Sequence, residues 1–204
     1  MSAENPNSRL EAFCDGVFAI ALTLLIIDIK LPSTIEFSST SEIWLAIKHI
    51  MPSIFAFILS FIIIFITWVN HHNAFKMVNK SSISFIYANG FLLLTVVFIP
   101  FPTSLVGEYI LSDHSTPAVF LYTSIIALQG IGWVLLSGAS LKNDLAKNEK
   151  AIIKIKNNRK NGYFTFIVYS ILAIISFWFP LIIATVTTMT LIFWLFYGAK
   201  MKHE

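Results

Sequence analysis

Apolar residues along the chain are gathered into six blocks, each about as long as a helix that crosses a membrane. Leu, Ile, Phe and Val dominate these blocks, and most charged residues lie between them. A helix needs about 20 apolar residues to cross a hydrocarbon core of roughly 30 Å. The pattern predicts an all-α integral membrane protein with six transmembrane helices. Their approximate bounds, numbered helix 1 to helix 6, are residues 10–31, 49–70, 84–102, 118–140, 162–179 and 181–198.

Composition supports this prediction and excludes an ordinary soluble domain. Of the 204 residues, 56% are hydrophobic and only 12% are charged, whereas a soluble domain has roughly 25% charged residues. We therefore expect one transmembrane domain over residues 1–204, in contact with lipid and with no nucleic-acid partner. Helix 1 is expected to be retained, because its apolar run exceeds the roughly 7 to 15 residues of a signal peptide and Asp15 lies inside it.

Basic residues predict the orientation, because cytoplasmic loops carry an excess of Lys and Arg. With six spans, only Lys30 and Lys48 of the 14 basic residues fall near the outer side. We expect a multi-pass protein of the plasma membrane with both termini in the cytoplasm. The charged connection at about 142–161, within KNDLAKNEKAIIKIKNNRKNG, is predicted either to extend helix 4 by a basic amphipathic turn or two or to be a solvated loop. The other 12 basic residues are Arg9, Lys76, Lys80, Lys142, Lys147, Lys150, Lys154, Lys156, Arg159, Lys160, Lys200 and Lys202.

Polar residues of helices 1, 2 and 3 are predicted to share one depth near the cytoplasmic side. A carboxylate such as Asp15 is tolerated there only when it is paired or hydrogen-bonded. Three uses of this set stay open: a structural network, a proton relay through a histidine, and a metal site. Adjacent histidines in a helix point about 100° apart, which makes His71 and His72 a poor ligand pair. The set comprises Arg9, Asp15, Thr67, Trp68, Asn70, His71, His72, Asn73 and Asn89.

Helix 1 also carries a stripe of residues at the i, i+3, i+4, i+7 spacing. Such a stripe marks one face of a helix. The face is suited either to packing against neighbouring helices or to lining a pathway. Its members are Gly16, Ile20, Thr23, Leu24, Ile27 and Leu31.

Two stretches of this sequence resemble the transmembrane protein 175 potassium channel family. RLEAFCDGVFAIALTLLIIDI is similar to the R-x-x-x-F-S-D signature that opens helix 1 of that family. WVNHHNAFK and LLLTVVFIPFPTSL are similar to its second and third helices. The Ser position of the signature is Cys14 here, and a thiol is a weaker donor than a hydroxyl. By this resemblance the signature network comprises Arg9, Phe13, Cys14, Asp15, Trp68, His71 and Asn89.

The resemblance implies a homotetramer in which helix 1 of each subunit lines a central pore. It also places an apolar constriction on helix 1, for which Ile20, Leu24 and Ile27 are the matching residues. Stripe and resemblance select the same face and together favour pore lining. Thr23 is expected to contribute to selectivity. Asp28 is expected either to draw cations to the outer mouth or to pair with Lys30.

The expected function is a potassium-permeable cation channel with passive conduction and a hydrophobic gate. The 204 residues contain no TVGYG filter, so a weaker preference for potassium over other monovalent cations is expected. A proton-coupled or other secondary cation transporter is the alternative, although internal repeats and midplane charges typical of carriers are not evident. No enzyme activity, cofactor or bound metal is expected.

Overall fold

The computed structural model describes residues 6–30 and 39–200, with side chains up to residue 192. Within these ranges the chain is helical and contains no β-strand beyond one isolated bridge between Val78 and Ala146. The expectation of an all-α protein is confirmed. The helices are α1 Ser8–Leu24, α2 Thr40–His49, α3 Met51–Lys76, α4 Ile83–Phe98, α5 Pro100–Tyr109, α6 Ser115–Lys142, α7 Glu149–Ile175 and α8 Pro180–Lys200.

Three described segments are long and apolar enough to cross a membrane. They are α3, the joined stretch Ile83–Tyr109 formed by α4 and α5, and α6. The described part of α8, Pro180–Ile192, is a shorter apolar helix. The chain is therefore an integral membrane protein, as predicted.

Helix 1 is shorter than the sequence predicts. The α-helix ends at Leu24, and the next residues form turns in which the Ile27 amide bonds the Leu24 carbonyl at 3.1 Å and the Ile29 amide bonds the Ile26 carbonyl at 3.2 Å. These i to i−3 bonds tighten the chain at the helix end. The last predicted residue of helix 1, Leu31, lies outside the described residues, as does Lys202.

The structure differs from the hydropathy pattern at helices 2 and 3. An extra helix, α2, precedes helix 2, and the predicted helix 3 consists of two helices. Before helix 2, α2 begins where the Ser39 hydroxyl accepts the Glu42 amide at 3.4 Å. Helix 3 is divided into α4 and α5 at Pro100, which has no amide hydrogen to donate. The preceding residue, Ile99, instead bonds the Val96 carbonyl with an i to i−3 spacing at 3.2 Å.

Both predictions for the basic connection are wrong. The segment after residue 148 forms the first turns of α7 and therefore belongs to helix 5, which begins 13 residues before its predicted start at residue 162. Asn148 caps this helix, because its Oδ1 accepts the Ala151 amide at 2.9 Å. The preceding helix stops at Lys142, and Asp144 then adopts a left-handed backbone with φ 49°.

Close helix packing places α6 at the centre of the subunit. It contacts α4, α5, α7 and α8, while α1 packs against α3 and α4. Gly130 of α6 and Gly162 of α7 face each other so closely that a Cβ on Gly130 would lie 2.8 Å from the Gly162 carbonyl oxygen. Small residues allow such approach between membrane helices. This contact fixes α7 against the core.

We expect Gly130→Ala to destabilise the subunit by about 1–3 kcal/mol, because the new methyl group overpacks this contact. Gly138→Ala is the matched control in α6, since a Cβ there meets nothing within 4 Å. Thermal unfolding followed by size-exclusion chromatography in detergent measures both. Equal unfolding temperatures for the two variants would contradict the close approach.

Candidate functional site

One face of α1 is buried in the subunit. Cys14, Phe18, Ala21 and Leu25 are each at most 2% exposed. Their spacing of four, three and four residues places them on one side of the helix. Since α1 packs on α3 and α4, this side faces these two helices and fixes the rotation of α1 about its axis.

The opposite face of α1 is left uncovered by the subunit's own helices. Ile20 is 60% exposed and Leu24 38%, Ile27 in the turn that follows α1 is 57% exposed, and a Cβ on Gly16 would meet nothing within 4 Å. This is the stripe that the sequence pattern selects. In a protein that spans a membrane, an uncovered apolar row of this kind contacts lipid, a neighbouring subunit or a pathway.

Two polar residues lie along or just beyond this uncovered face. The Thr23 hydroxyl donates to the Ile20 carbonyl at 2.9 Å, which leaves its oxygen able to accept from, or coordinate, a passing group. Asp28 is exposed in the turn that follows α1. No ion pair joins Asp28 and Lys30 in the described part of the chain, so the pairing considered for them is not present within the subunit.

The polar residues of the three helices form hydrogen bonds at one depth. The Trp68 indole Nε1 donates to Asp15 Oδ1 at 2.8 Å, which joins α3 to α1. His71 Nε2 lies 2.7 Å from Asn89 Oδ1, and Asn89 Nδ2 donates to Cys14 Sγ at 3.1 Å. Because the Asn89 oxygen only accepts, His71 carries its proton on Nε2. Bonds therefore run from α1 to α3, from α3 to α4 and from α4 back to α1.

The signature residues differ in how they take part. His71 and Asn89 are 2% and 1% exposed, whereas Arg9 is exposed and its guanidinium has no hydrogen bond or ion pair among the described residues. Phe13 is 63% exposed. His72 stacks on Trp68, with ring centroids 6.0 Å apart, and is not in the hydrogen-bonded set. Within the described ranges no three His, Cys, Asp or Glu residues are placed to hold a metal ion.

Sequence reasoning missed a second polar cluster deeper in the subunit. The Ser60 hydroxyl lies 2.6 Å from Thr103 Oγ1 and 2.9 Å from the Tyr122 hydroxyl, and all three residues are buried. Further toward the signature residues, Thr67 donates to Gln129 Oε1 at 3.4 Å. The only sequence signal for this cluster is a polar residue at mid-depth in an apolar helix.

The chain is similar to known proteins over most of its length. A family described as "Endosomal/lysosomal potassium channel TMEM175" matches residues 9–100. A protein of Chryseobacterium sp. named potassium channel is 31% identical over 187 residues, which are 92% of this chain and 91% of the relative. The chain belongs to the TMEM175 family. This confirms the resemblance found in the sequence.

Two further comparisons agree with TMEM175 membership. A potassium channel of Chamaesiphon minutus is 41% identical over 122 residues, a match that spans 60% of each chain. The crystal structure of a lysosomal potassium-selective channel TMEM175 homolog from the same organism superposes with a TM-score of 0.81 and 31% identity. That match covers 94% of this chain and 97% of the other. The TMEM175 family is one of ion channels, and the expectation that the chain is not an enzyme is confirmed by membership.

The geometry around Asn89 predicts that this residue is needed for stability. Asn89→Leu removes the acceptor of the buried His71 N–H, which we expect to cost about 1–3 kcal/mol. Asn70→Leu, at an exposed position of α3, should change stability by less than about 0.5 kcal/mol. Cys14→Ser should be tolerated, because a hydroxyl also accepts the Asn89 amide. Thermal unfolding in detergent ranks the three variants, and an Asn89→Leu variant as stable as Asn70→Leu would contradict the network.

Proposed function

We propose that the chain is a subunit of a potassium-permeable cation channel in which the uncovered face of α1 lines the pathway. The observation that carries this proposal is the apolar row of Ile20, Leu24 and Ile27, which is exposed although the other side of α1 is buried. Relatives named potassium channels, and a structural neighbour titled potassium-selective, support potassium as the permeant ion.

Four copies of the chain surround the pathway in this proposal, and each contributes six spans and one copy of α1. The centre of a single subunit is filled by α6, which packs against α4, α5, α7 and α8, whereas closed rotational symmetry is the usual arrangement of identical subunits. The exposed Arg9 guanidinium, which has no partner among the described residues of its own subunit, is suited to a contact with a neighbouring subunit. The Asn89, His71 and Cys14 bonds hold α1 in the rotation that turns its apolar row to the axis.

The gate in this proposal is a ring of Ile20 side chains. A narrow apolar ring excludes water, and an ion that enters it loses hydration without gaining oxygen ligands. Widening the ring readmits water and opens the pathway. Thr23 Oγ1, about one turn from the ring and also exposed, is a side-chain oxygen suited to replace part of the hydration shell. Selectivity then depends on size and dehydration, and is weaker than in a carbonyl filter.

The proposed setting is the plasma membrane with both termini in the cytoplasm. Its support is the distribution of Lys and Arg, because cytoplasmic segments carry the excess of these residues and the first turns of α7 are rich in them. Asp28 then lies at the outer mouth, where its exposed carboxylate attracts cations.

If Ile20 forms the gate, a polar residue at this position should increase ion flux. We expect Ile20→Asn to raise potassium flux about tenfold, which corresponds to a barrier lower by about 1.4 kcal/mol, and to reduce the preference over sodium. Ile20→Ala should act in the same direction with a smaller effect, because it widens the ring without adding a polar group. Flux into liposomes under potassium and sodium gradients measures both quantities.

Leu25→Ala is the control for this series, because Leu25 is 2% exposed on the buried face. We expect it to lower stability and leave ion preference nearly unchanged. If Ile20→Asn leaves flux and preference as they are while Leu25→Ala alters them, another face of α1 lines the pathway.

The proposed tetramer is tested by the mass of the assembly. Native mass spectrometry should show four chains of 23.0 kDa each, and Arg9→Ala should reduce the tetrameric fraction more than Lys80→Ala, a basic residue that is also exposed. A monomeric or dimeric wild-type protein that still conducts potassium in liposomes would contradict the proposal.

A further inference from the structure

A groove of about 1420 Å³ lies on the side of the subunit formed by α2, α3, α5 and α8. Its wall is apolar over most of its length, and its ionisable side chains gather on α2, where Glu42, Lys48 and His49 line it. This arrangement of one charged end and a long apolar wall matches an amphiphile. The wall includes Phe55, Leu59, Val106, Ile110, Leu181 and Met189.

The groove lies at membrane depth, at one end of the bundle. Its wall comes from the first turns of α3, the end of α5 and the first half of α8. In the orientation proposed above, all three segments belong to the outer half of the membrane. Phe55 is 60% exposed and Met189 is 65% exposed, so the groove is open where lipid chains surround the protein.

A small cavity of about 40 Å³ continues the groove inward. It shares Ala56, Leu59, Val106, Ala184 and Thr188 with the groove wall. Its lining also includes Thr187, which is 3% exposed and whose hydroxyl has no hydrogen-bond partner among the described residues. Leaving a buried hydroxyl without a hydrogen-bond partner costs free energy. This end of the groove is therefore suited to a bound ligand, or to a water bound with it, that accepts or donates a hydrogen bond to Thr187.

We propose that the groove binds one phospholipid of the outer leaflet, with an acyl chain along α3 and α8 and the phosphate beside Lys48 and His49. Both side chains are exposed on the rim, where a cationic amine attracts a phosphate oxygen. The apolar wall below them removes an acyl chain from contact with mobile lipid. Charge complementarity between the phosphate and the Lys48 amine favours this occupant over a second copy of the chain or residues 31–38. The Glu42 carboxylate is six residues earlier on α2, about 9 Å along the helix from Lys48. The proposal rests on the proposed membrane orientation for the choice of leaflet, and does not depend on ion conduction.

Native mass spectrometry of the full-length protein tests the proposal. Delipidated protein in mild detergent is titrated with dioleoyl phosphatidylethanolamine, dioleoyl phosphatidylglycerol or dioleoylglycerol. We expect both phospholipids to bind with one molecule per chain, and dioleoylglycerol, which lacks the phosphate, to bind more weakly. Lys48→Gln should weaken phospholipid binding about fivefold. Lys30→Gln, an exposed basic residue outside the groove, should leave it unchanged.

A second pair of variants tests the apolar wall. Ala184→Trp places a large side chain in the groove, whereas Ile182→Trp lies on the same helix, is 59% exposed and does not line it. We expect bound phospholipid to fall in the first variant only, with both variants eluting as the wild-type assembly does. Equal binding of dioleoylglycerol and the phospholipids, together with no effect of Lys48→Gln, would overturn the proposal. Loss of assembly in Ala184→Trp without loss of lipid would also overturn it, and would indicate a second copy as the occupant.

These outcomes are separate from those of the conduction experiments. If the protein binds phospholipid at Lys48 but does not conduct ions, the lipid site is supported and the proposed function is wrong. A protein that conducts potassium but shows no Lys48-dependent phospholipid binding keeps the proposed function and removes the lipid site.

Discussion

The amide of Asn89 is the group on which the arrangement of the first three spans depends. It receives the His71 N–H and donates to the Cys14 sulfur, so that one buried side chain bonds α3 and α1 from its position on α4. Inside a membrane no water is available to satisfy these groups. Any rotation of α1 would break the bond to Cys14 and expose the buried row that ends at Leu25. The orientation of α1 is therefore set by hydrogen bonding as much as by packing.

Because one side of α1 is held against α3 and α4, the other side is left exposed. It carries Ile20, and Ile27 follows in the next turn; both are large, apolar and exposed in the subunit. In a single subunit these side chains would face lipid, as many other exposed apolar residues of the chain do. In the proposed tetramer, four copies arranged about an axis would form a continuous apolar wall from the same residues, which is the basis of the proposed gate. The exposed Arg9 at the start of α1 fits this arrangement, because it leaves a charge available for a neighbouring chain.

The sequence predicted the helical class, the residues that share one side of α1 and the shared depth of the polar residues, because these depend on local periodicity and on the cost of polar groups in lipid. Periodicity alone left open whether that side of α1 packs against a neighbour or lines a pathway. It did not predict the start of α7, since the charges that follow Asn148 resemble a loop in hydropathy although they form a capped helix. The contact between Gly130 and Gly162 was also missed, because it depends on two helices that are distant in sequence. Asn89 was identified as a partner, but its specific bonds required the packing of three helices.

Cysteine accessibility is the direct test of whether the uncovered face of α1 lines the ion pathway. Cys14 is the chain's single cysteine, so a Cys14→Ser background carries one introduced thiol at a time along α1, at residues 18, 20, 21, 23, 24 and 27. A water-soluble, charged thiol reagent is added to conducting liposomes and the potassium flux is followed. We expect the reagent to alter flux when the cysteine is at residue 20, 23, 24 or 27 and to leave flux unchanged when it is at residue 18 or 21. Modification of flux at 18 and 21, with no effect at 20 and 24, would contradict it.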